Sequence, residues 1–253
     1  MAVKGSKRIL ALKKRKARER EGAFLIEGIR LCEEALKVEG AAEQLVFARD
    51  MLDRNERLAE LHASAEKAGV MVQMTDRRAM KGMCQTETPQ GVVGVANEPG
   101  WDRDEAITSG KPLLILDQIR DPGNLGTILR TAEAAGAGGI FLLKGSVELL
   151  NPKVVRSTAG SVFRFPVFTD QRPTSLIDDL KQAKVTVFAT DVDGQLFREA
   201  DFTAPHAFLL GNEAFGIDPE VLKLADQTIT IPMEDPVNSL NVAVAAGILL
   251  YNG

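Results

Sequence analysis

Residues 237–251 read VNSLNVAVAAGILLY, and they set the fold of the C-terminal half of the chain. Asn238, Ser239 and Asn241 precede an apolar run that carries no charge. A helix without a polar face is buried on most sides. Ser239 or Asn238 can cap its first turn, because short polar side chains accept hydrogen bonds from the free N–H groups there. We therefore expect a buried last helix whose polar start forms the floor of a ligand site.

The segments before this helix alternate between strands and helices. Strands are predicted at residues 112–117, 139–143, 166–168, 185–190, 207–211 and 228–232, and helices at 124–135, 151–160 and 174–183. Such alternation is typical of an α/β domain with a mostly parallel sheet covered on both faces.

The N-terminal part is predicted to be a separate, smaller α/β domain. Strands are expected at residues 22–27, 44–48, 70–73 and 91–95, and helices at 6–18, 28–38, 55–68 and 76–82. The stretch NEPGWDRDEAITSGKP is polar and rich in turn-forming residues, as linkers are. The predicted organisation is therefore a domain over residues 1–97, a linker over 98–112 and a second domain over 113–253.

Composition excludes several classes of protein. Cys32 and Cys84 match neither a disulfide framework nor a zinc-ligand spacing. His62 and His206 are isolated, so no metal is expected. No window approaches the roughly 18 apolar residues of a membrane span, and no apolar signal-peptide core follows the basic N-terminus. We expect a cytoplasmic protein with reduced thiols and no membrane partner.

Positive charge is concentrated near the N-terminus. Residues 4–20 contain nine basic residues against one acidic residue, Glu19, whereas residues 101–253 are acidic overall. A basic run of this kind can neutralise several phosphates and bind nucleic acid, although a solvated helix would have the same composition. The candidate RNA contacts in it are Lys7, Arg8, Lys13, Lys14, Arg15 and Lys16.

The first segment that could carry chemistry is LDQIRDPGNLGTILR, residues 116–130. Asn124 follows a strand and a turn, and it fits an ordinary N-cap of the next helix. Arg130 lies six residues further on, among apolar helix positions, where a guanidinium needs a partner or a ligand.

Two later segments also place polar groups after strands. FLLGNEAFGI, residues 208–217, delivers Gly211 and Glu213 to the carboxyl end of a strand, where ligands bind in open α/β sheets. In residues 229–247, Pro232 lies between apolar residues that could contact an adenine ring. Each segment alone also fits a plain turn or a capped helix.

Together, the ordered motifs N-x-G-x-x-x-R, L-L-G-N-E and I-P-M-x(5)-S-L-N-V-x-V-A resemble the SpoU (TrmH-like) RNA 2′-O-ribose methyltransferases of the SPOUT superfamily. The resemblance covers residues 113–251. The N-terminal domain, above all its basic helix and AFLIEGIRLCEEAL, looks like that family's substrate-binding domain of ribosomal-protein L30e-like fold. The resemblance implies a deep trefoil knot in the C-terminal domain and a homodimer formed through that domain, so a monomer should be unstable or inactive.

The resemblance also implies S-adenosylmethionine as the methyl donor, held in the knotted loops. The residues expected to contact it are Thr190, Gly211, Ile231, Met233 and Leu240.

Catalytic roles carried over from the family centre on Arg130. It would act either as a general base or by holding a phosphate and stabilising the developing alkoxide. We favour the second role because guanidinium stays protonated in proteins. Asn124 would orient Arg130 or the ribose, and Glu213 would bind substrate or fix Arg130. Ser239 and Asn241 would form the third side of the site.

Arg156, in KVVRSTAGS, is a further candidate phosphate contact, although a solvated helix arginine fits equally well. The chain departs from the family's pattern before Ser239, where Asn238 and the acidic loop EDPVN, with Pro236, could change loop geometry or substrate preference.

We expect an RNA 2′-O-methyltransferase with 23S ribosomal RNA as its first candidate substrate, because the tRNA-modifying relatives often rely on short terminal extensions instead of a second domain. Transfer RNA is the second candidate. A non-catalytic RNA-binding or ribosome-assembly protein on the same fold is the alternative, but it would have little reason to keep the five catalytic candidates together. A nucleotide-dependent oxidoreductase is disfavoured because the glycine fingerprint is missing.

Overall fold

The computed structural model describes residues 6–212 and 214–252. The chain divides into two compact units: the first unit is Met1–Gly100 with Leu150–Arg164, and the second unit is Trp101–Leu149 with Phe165–Gly253. The predicted linker contains a helix, Arg103–Thr108, and its Ala106 and Ile107 are buried in the core of the second unit.

The first unit is built on a four-stranded sheet with the order β1-β4-β2-β3. Only β2 and β3 pair in parallel, and the other pairs are antiparallel. The strands are β1 (Ala23–Glu27), β2 (Ala42–Ala48), β3 (Met71–Thr75) and β4 (Val92–Asn97). The helices are α1 (Ser6–Leu12), α2 (Arg15–Glu21), α3 (Ile29–Leu36), α4 (Arg49–Leu52), α5 (Glu56–Lys67) and α6 (Arg77–Met83).

The prediction of one basic helix over residues 6–18 is wrong, because the segment forms two helices, with α1 ending at Leu12 and α2 beginning at Arg15. The buried guanidinium of Arg18 donates a hydrogen bond to the carbonyl of Leu12 over 2.8 Å, which takes up a carbonyl at the end of α1. Lys13 Nζ donates to the carbonyls of Gly82 and Cys84 at the end of α6. Side chains that charge alone suggests are solvated therefore hold this unit together.

The second unit contains a six-stranded sheet with the order β10-β8-β9-β5-β6-β7, and every pairing in it is parallel. The strands are β5 (Leu113–Leu116), β6 (Gly139–Leu143), β7 (Val167–Gln171), β8 (Thr186–Leu196), β9 (His206–Leu210) and β10 (Gln227–Thr230). The helices in residues 101–252 are α7 (Arg103–Thr108), α8 (Pro122–Ala134), α9 (Pro152–Ser157), α10 (Pro173–Gln182), α11 (Pro219–Leu222) and α12 (Val242–Leu250), of which α9 belongs to the first unit.

The central strands β5, β6 and β9 are buried at every position, as expected for a parallel sheet covered on both faces. These apolar runs explain why the C-terminal half forms this sheet. The α/β class, the mostly parallel sheet and the smaller N-terminal α/β unit are confirmed.

The segment Leu150–Arg164 belongs to the first unit, although it lies within the predicted C-terminal domain. The rings of Phe163 and Phe24 stack with their centroids 5.7 Å apart, and Arg164 pairs with Glu34. Arg156 lies 3.8 Å from the buried Glu27 carboxylate. Arg156 therefore has an ion-pair partner within the protein and is not a solvated helix arginine. Its phosphate contact stays a prediction.

Candidate functional site

A cavity of about 400 Å³ lies at the carboxyl ends of β8, β9 and β10. Its wall includes all five predicted cofactor contacts, Thr190, Gly211, Ile231, Met233 and Leu240. The segments that follow three successive strands therefore meet at one cavity. Their proposed contacts with a ligand stay predictions.

The loop after β9 is a closed turn that forms one side of the cavity. The backbone groups of Asn212 and Gly216 bond to each other in both directions, at 3.0 and 2.7 Å. A Cβ atom on Gly211 would overlap the backbone of Gly216 and Ile217, so a side chain at residue 211 would force this turn open.

The turn after β5 fastens this loop. The buried Asp117 carboxylate accepts a hydrogen bond from the Asp218 N–H at 2.9 Å. Burial raises the pKa of Asp117, against the opposing effect of that hydrogen bond. Gln118 has a φ of 51°, and its carbonyl accepts from the side-chain amide of Asn212 at 3.2 Å. A left-handed backbone conformation at a non-glycine residue costs about 1–3 kcal/mol of folding free energy. This strained residue, Gln118, is bonded to the cavity-wall residue Asn212.

Asn241 and Asn124 join the starts of α12 and α8. Asn241 Nδ2 donates to Asn124 Oδ1 over 2.9 Å, while Asn241 Oδ1 accepts from the N–H groups of Ala243 and Val244. One amide side chain therefore caps its own helix and bonds to the other helix.

The predicted caps of both helices are wrong. Asp121, not Asn124, caps α8, because Pro122 occupies the first helical position and fixes the cap one residue earlier. Asn241, not Ser239 or Asn238, caps α12. The side chain of Asn124 bonds to Asn241 and does not cap its own helix.

Arg130 is exposed on α8, and within the described ranges it makes no hydrogen bond or ion pair. Its helix is joined to α12 by the Asn124–Asn241 bond, and an unpaired guanidinium there is available to an anionic ligand. Ser239 lines the cavity and is exposed. Glu213 lies outside the described residues, so its predicted role stays a prediction.

Asp191 and Phe215 are among the cavity-wall residues that the sequence did not predict. The strand β8 continues six residues beyond Thr190, and Asp191 is the first residue of this extension. Phe215 lies in the closed turn and is 81% exposed. Phe215 sits in the motif GNEAFGI, so its proximity to the site could have been inferred. The extension of β8 had no apolar pattern to signal it.

The basic candidates in the first unit fall into two groups. Arg8 bonds to Glu21 and Glu43, which raise its pKa above the ordinary value, and Lys13 bonds to backbone carbonyls as described above. Lys7, Lys14 and Lys16 are exposed, as is Arg15, which pairs with Glu19 at 2.6 Å. The exposed lysines keep their charge available to an outside partner.

The described part of the chain contains no group of three or more His, Cys, Asp or Glu residues placed to hold a metal ion. None of its helices is long and apolar enough to cross a membrane.

Residues 111–251 match the SpoU rRNA Methylase family, and residues 6–94 match the MRM3-like substrate binding domain. The chain belongs to the SpoU rRNA methylase family, so the resemblance seen in the motifs is confirmed.

Among its relatives is the 23S rRNA (guanosine(2553)-2′-O)-methyltransferase RlmP of Bacillus subtilis, which is 35% identical over 94% of this chain and 91% of that protein. The 23S rRNA (uridine(2479)-2′-O)-methyltransferase of Streptomyces viridochromogenes is 30% identical over 94% of this chain and 84% of its own length. The crystal structure of AdoMet-bound rRNA methyltransferase from Sinorhizobium meliloti has a TM-score of 0.83 at 31% identity, covering 98% of this chain and 92% of that chain.

Proposed function

We propose that this protein transfers a methyl group from S-adenosylmethionine to a ribose 2′-hydroxyl of 23S ribosomal RNA. The observation that carries the proposal is the cavity at the ends of β8, β9 and β10, beside the Asn241–Asn124 bond and the helix that bears Arg130. Membership of the SpoU family and relatives that methylate 23S rRNA give the same reaction class.

The cavity fits S-adenosylmethionine in size and chemistry. Its volume of about 400 Å³ lies within the roughly 300–1,000 Å³ typical of small-molecule sites. Ile231, Leu240 and Met233 offer apolar and polarisable surface for an adenine ring, while Gly211 exposes backbone polar groups. The bound cofactor would supply an electrophilic methyl group on a positively charged sulfur.

The chain's residues would then position and activate the ribose. The 2′-oxygen gains the methyl group as the carbon–sulfur bond breaks, its electron pair stays on sulfur, and the hydroxyl proton leaves to solvent. Arg130 stabilises the negative charge that develops on the oxygen and holds a neighbouring phosphate. Asn124, kept in place by Asn241, orients the ribose or Arg130, and Ser239 closes the third side.

Substrate RNA would be held by the exposed basic residues of the first unit. Lys7, Lys14 and Lys16 supply charge that the acidic C-terminal half lacks. A protein that modifies ribosomal RNA would work in the cytoplasm of a bacterial cell.

The second unit would form the homodimer, with the C-terminal helix threaded through the trefoil knot expected for this family. The outer side of α12 supports a partner there, since Val244 and Tyr251 are 52% and 66% exposed. Apolar side chains grouped at a helix surface favour association.

The proposal is tested by incubating the protein with S-adenosylmethionine labelled in the methyl group and with purified 23S rRNA or tRNA. A ribose 2′-O-methyl blocks alkaline cleavage of its own phosphodiester bond, so label should be recovered in alkali-resistant dinucleotides from 23S rRNA. Label in mononucleotides would indicate base methylation and contradict the proposal. Methyl transfer to tRNA alone would mean that tRNA, not 23S rRNA, is the substrate. RNA binding without any methyl transfer would favour the non-catalytic alternative.

A further inference from the structure

Asp191 is the one formally charged residue among the described residues that line the cavity. It is half-buried at the point where β8 passes the cavity, next to Thr190. Its Oδ1 accepts from the N–H of Asp193 at 3.3 Å, and no cation of the described chain pairs with it. The remaining described wall is apolar or neutral, with residues such as Asn212, Thr230 and Ser239. The described part of the cavity wall thus carries one negative charge, which no described cation pairs with.

The two forms of the cofactor differ in charge. At neutral pH the methyl donor has a sulfonium, an ammonium and a carboxylate, which leaves one net positive charge. Its demethylated product, S-adenosylhomocysteine, has a neutral thioether in place of the sulfonium and no net charge. The two molecules otherwise share almost the same shape, so hydrophobic contacts and hydrogen bonds with the adenosine part cannot separate them strongly.

We propose that Asp191 makes this cavity selective for the positively charged methyl donor over its neutral product. This inference rests on the proposed function. A carboxylate in a partly enclosed wall attracts a nearby cation more strongly than it would in bulk water, because the local dielectric is lower. Methyl transfer removes the positive charge from sulfur, so the same carboxylate then contributes less to retaining the product. Asp191 would therefore favour product release after each turnover.

The other acidic groups that the structure describes in the neighbouring loops are Asp193 after Asp191 and Glu234 and Asp235 before Ser239. None of these three lines the cavity. They are exposed, so salt screens their effect over about 10 Å at 0.1 M ionic strength. The charge effect is therefore assigned to Asp191, and its neutralisation is the relevant change.

Calorimetry on the full-length protein can measure the dissociation constants of S-adenosylmethionine, S-adenosylhomocysteine and sinefungin, a cationic analogue with an amine in place of the methylated sulfur. In Asp191→Asn, the two cations should bind about tenfold more weakly while the neutral product changes little. Asp191→Glu should keep the preference for cations. Asp178→Asn, which removes an exposed carboxylate on α10, is the matched control and should change none of the three constants.

The outcomes separate the two proposals. If the wild-type protein binds none of the three ligands, the proposed function itself fails. If it binds them and Asp191→Asn weakens all three equally, or none, then Asp191 is not a charge-selective residue and this inference is overturned while the proposed function stands. A loss of selectivity in Asp191→Asn that Asp191→Glu restores supports the inference, and raising the salt concentration should narrow the wild-type preference.

Discussion

Asn241 donates its side-chain amide to the side-chain oxygen of Asn124 across 2.9 Å, and these two residues stand at the starts of α12 and α8. The oxygen of the same Asn241 amide caps α12. One side chain therefore caps α12 and also bonds to the start of α8. This contact joins the third motif of the family to the first.

Replacing the two asparagines should separate capping from helix pairing. Asn241→Ala loses both interactions and should lower the free energy of unfolding by about 1–2 kcal/mol, whereas Asn124→Ala loses the pairing but keeps the α12 cap and should cost about 0.5–1.5 kcal/mol. Chemical unfolding of the single and double variants gives the coupling energy. Strictly additive losses would show that the two side chains do not interact.

Arg130→Ala should reduce the rate of methyl transfer by about two to three orders of magnitude, the scale of losing one preorganised stabilising group. Its affinity for S-adenosylmethionine should stay unchanged, since Arg130 does not line the cavity. Single-turnover kinetics and calorimetry measure the two quantities separately. Arg172→Ala, which removes an exposed arginine elsewhere in the second unit, is the control. Unchanged turnover in Arg130→Ala would remove this residue from the mechanism.

Gly211→Ala should abolish cofactor binding, because the added methyl group overlaps the returning turn at Gly216. The control is Gly82→Ala in α6, where an added Cβ meets nothing within 4 Å and where alanine should stabilise the helix by about 0.5–1 kcal/mol. Calorimetric titration of both variants tests the difference. Wild-type affinity in Gly211→Ala would mean that the turn is not a rigid wall.

Removing the exposed lysines should weaken RNA binding without disturbing the fold. The triple change of Lys7, Lys14 and Lys16 to alanine should lower the salt dependence of RNA affinity by about 2 units of slope, as expected for lost phosphate contacts. Binding isotherms at several salt concentrations measure this slope. Arg8→Ala should instead lower stability, because Arg8 bonds to Glu21 and Glu43 within the first unit. Equal slopes in the wild type and the triple variant would place the RNA elsewhere.

The sequence predicted the strands of the second unit well, because runs such as those around Leu113 and Phe208 are buried in a parallel sheet and cannot be polar. The second and third motifs also supplied four of the five cofactor candidates, and Thr190 came from the end of the strand VTVFAT. Helix starts were less predictable, since Asp121, Asn124, Asn238, Ser239 and Asn241 are all good caps by type. Pro122 identifies Asp121 as the first cap, but only the packing of α12 selects Asn241.

The sequence patterns could not predict which charged side chains form tertiary contacts. Arg18 is buried against Leu12 and Arg156 pairs with Glu27 across about 130 residues of chain, and no local spacing encodes such partners. Asp191 was not predicted as a site residue for a related reason. Its neighbours in the cavity come from the distant loops near Gly211 and Leu240, so its isolation from other charges appears only in three dimensions.

The stability of the second unit should depend on pH through His206. Its Nδ1 bonds to the Ala204 carbonyl at 2.9 Å, its Nε2 has no partner among the described residues, and burial lowers the pKa of this imidazole. The unfolded chain therefore binds a proton more readily than the folded one. As pH falls below the ordinary histidine pKa of about 6.5, the free energy of unfolding should decrease by up to about 1.4 kcal/mol per pH unit, until the lowered folded pKa is reached.

His206→Phe removes this titration while keeping an aromatic ring beside Phe188 and Phe208. Denaturant unfolding between pH 5 and 8 should show a smaller loss of stability at acidic pH in the variant than in the wild type. Parallel pH profiles would contradict the assignment to His206. Methyl transfer should be retained, because His206 lies at the amino end of β9 and the cavity lies at the carboxyl end.

The most direct test of the central claim is a map of ribose 2′-O-methylation in 23S rRNA from cells with and without this protein. A nucleotide methylated in the wild type should become unmethylated without the protein, and the methyl group should return on expression of the wild-type chain but not of Arg130→Ala. Identical 2′-O-methylation maps with and without the protein would contradict the assignment of 23S rRNA as its substrate.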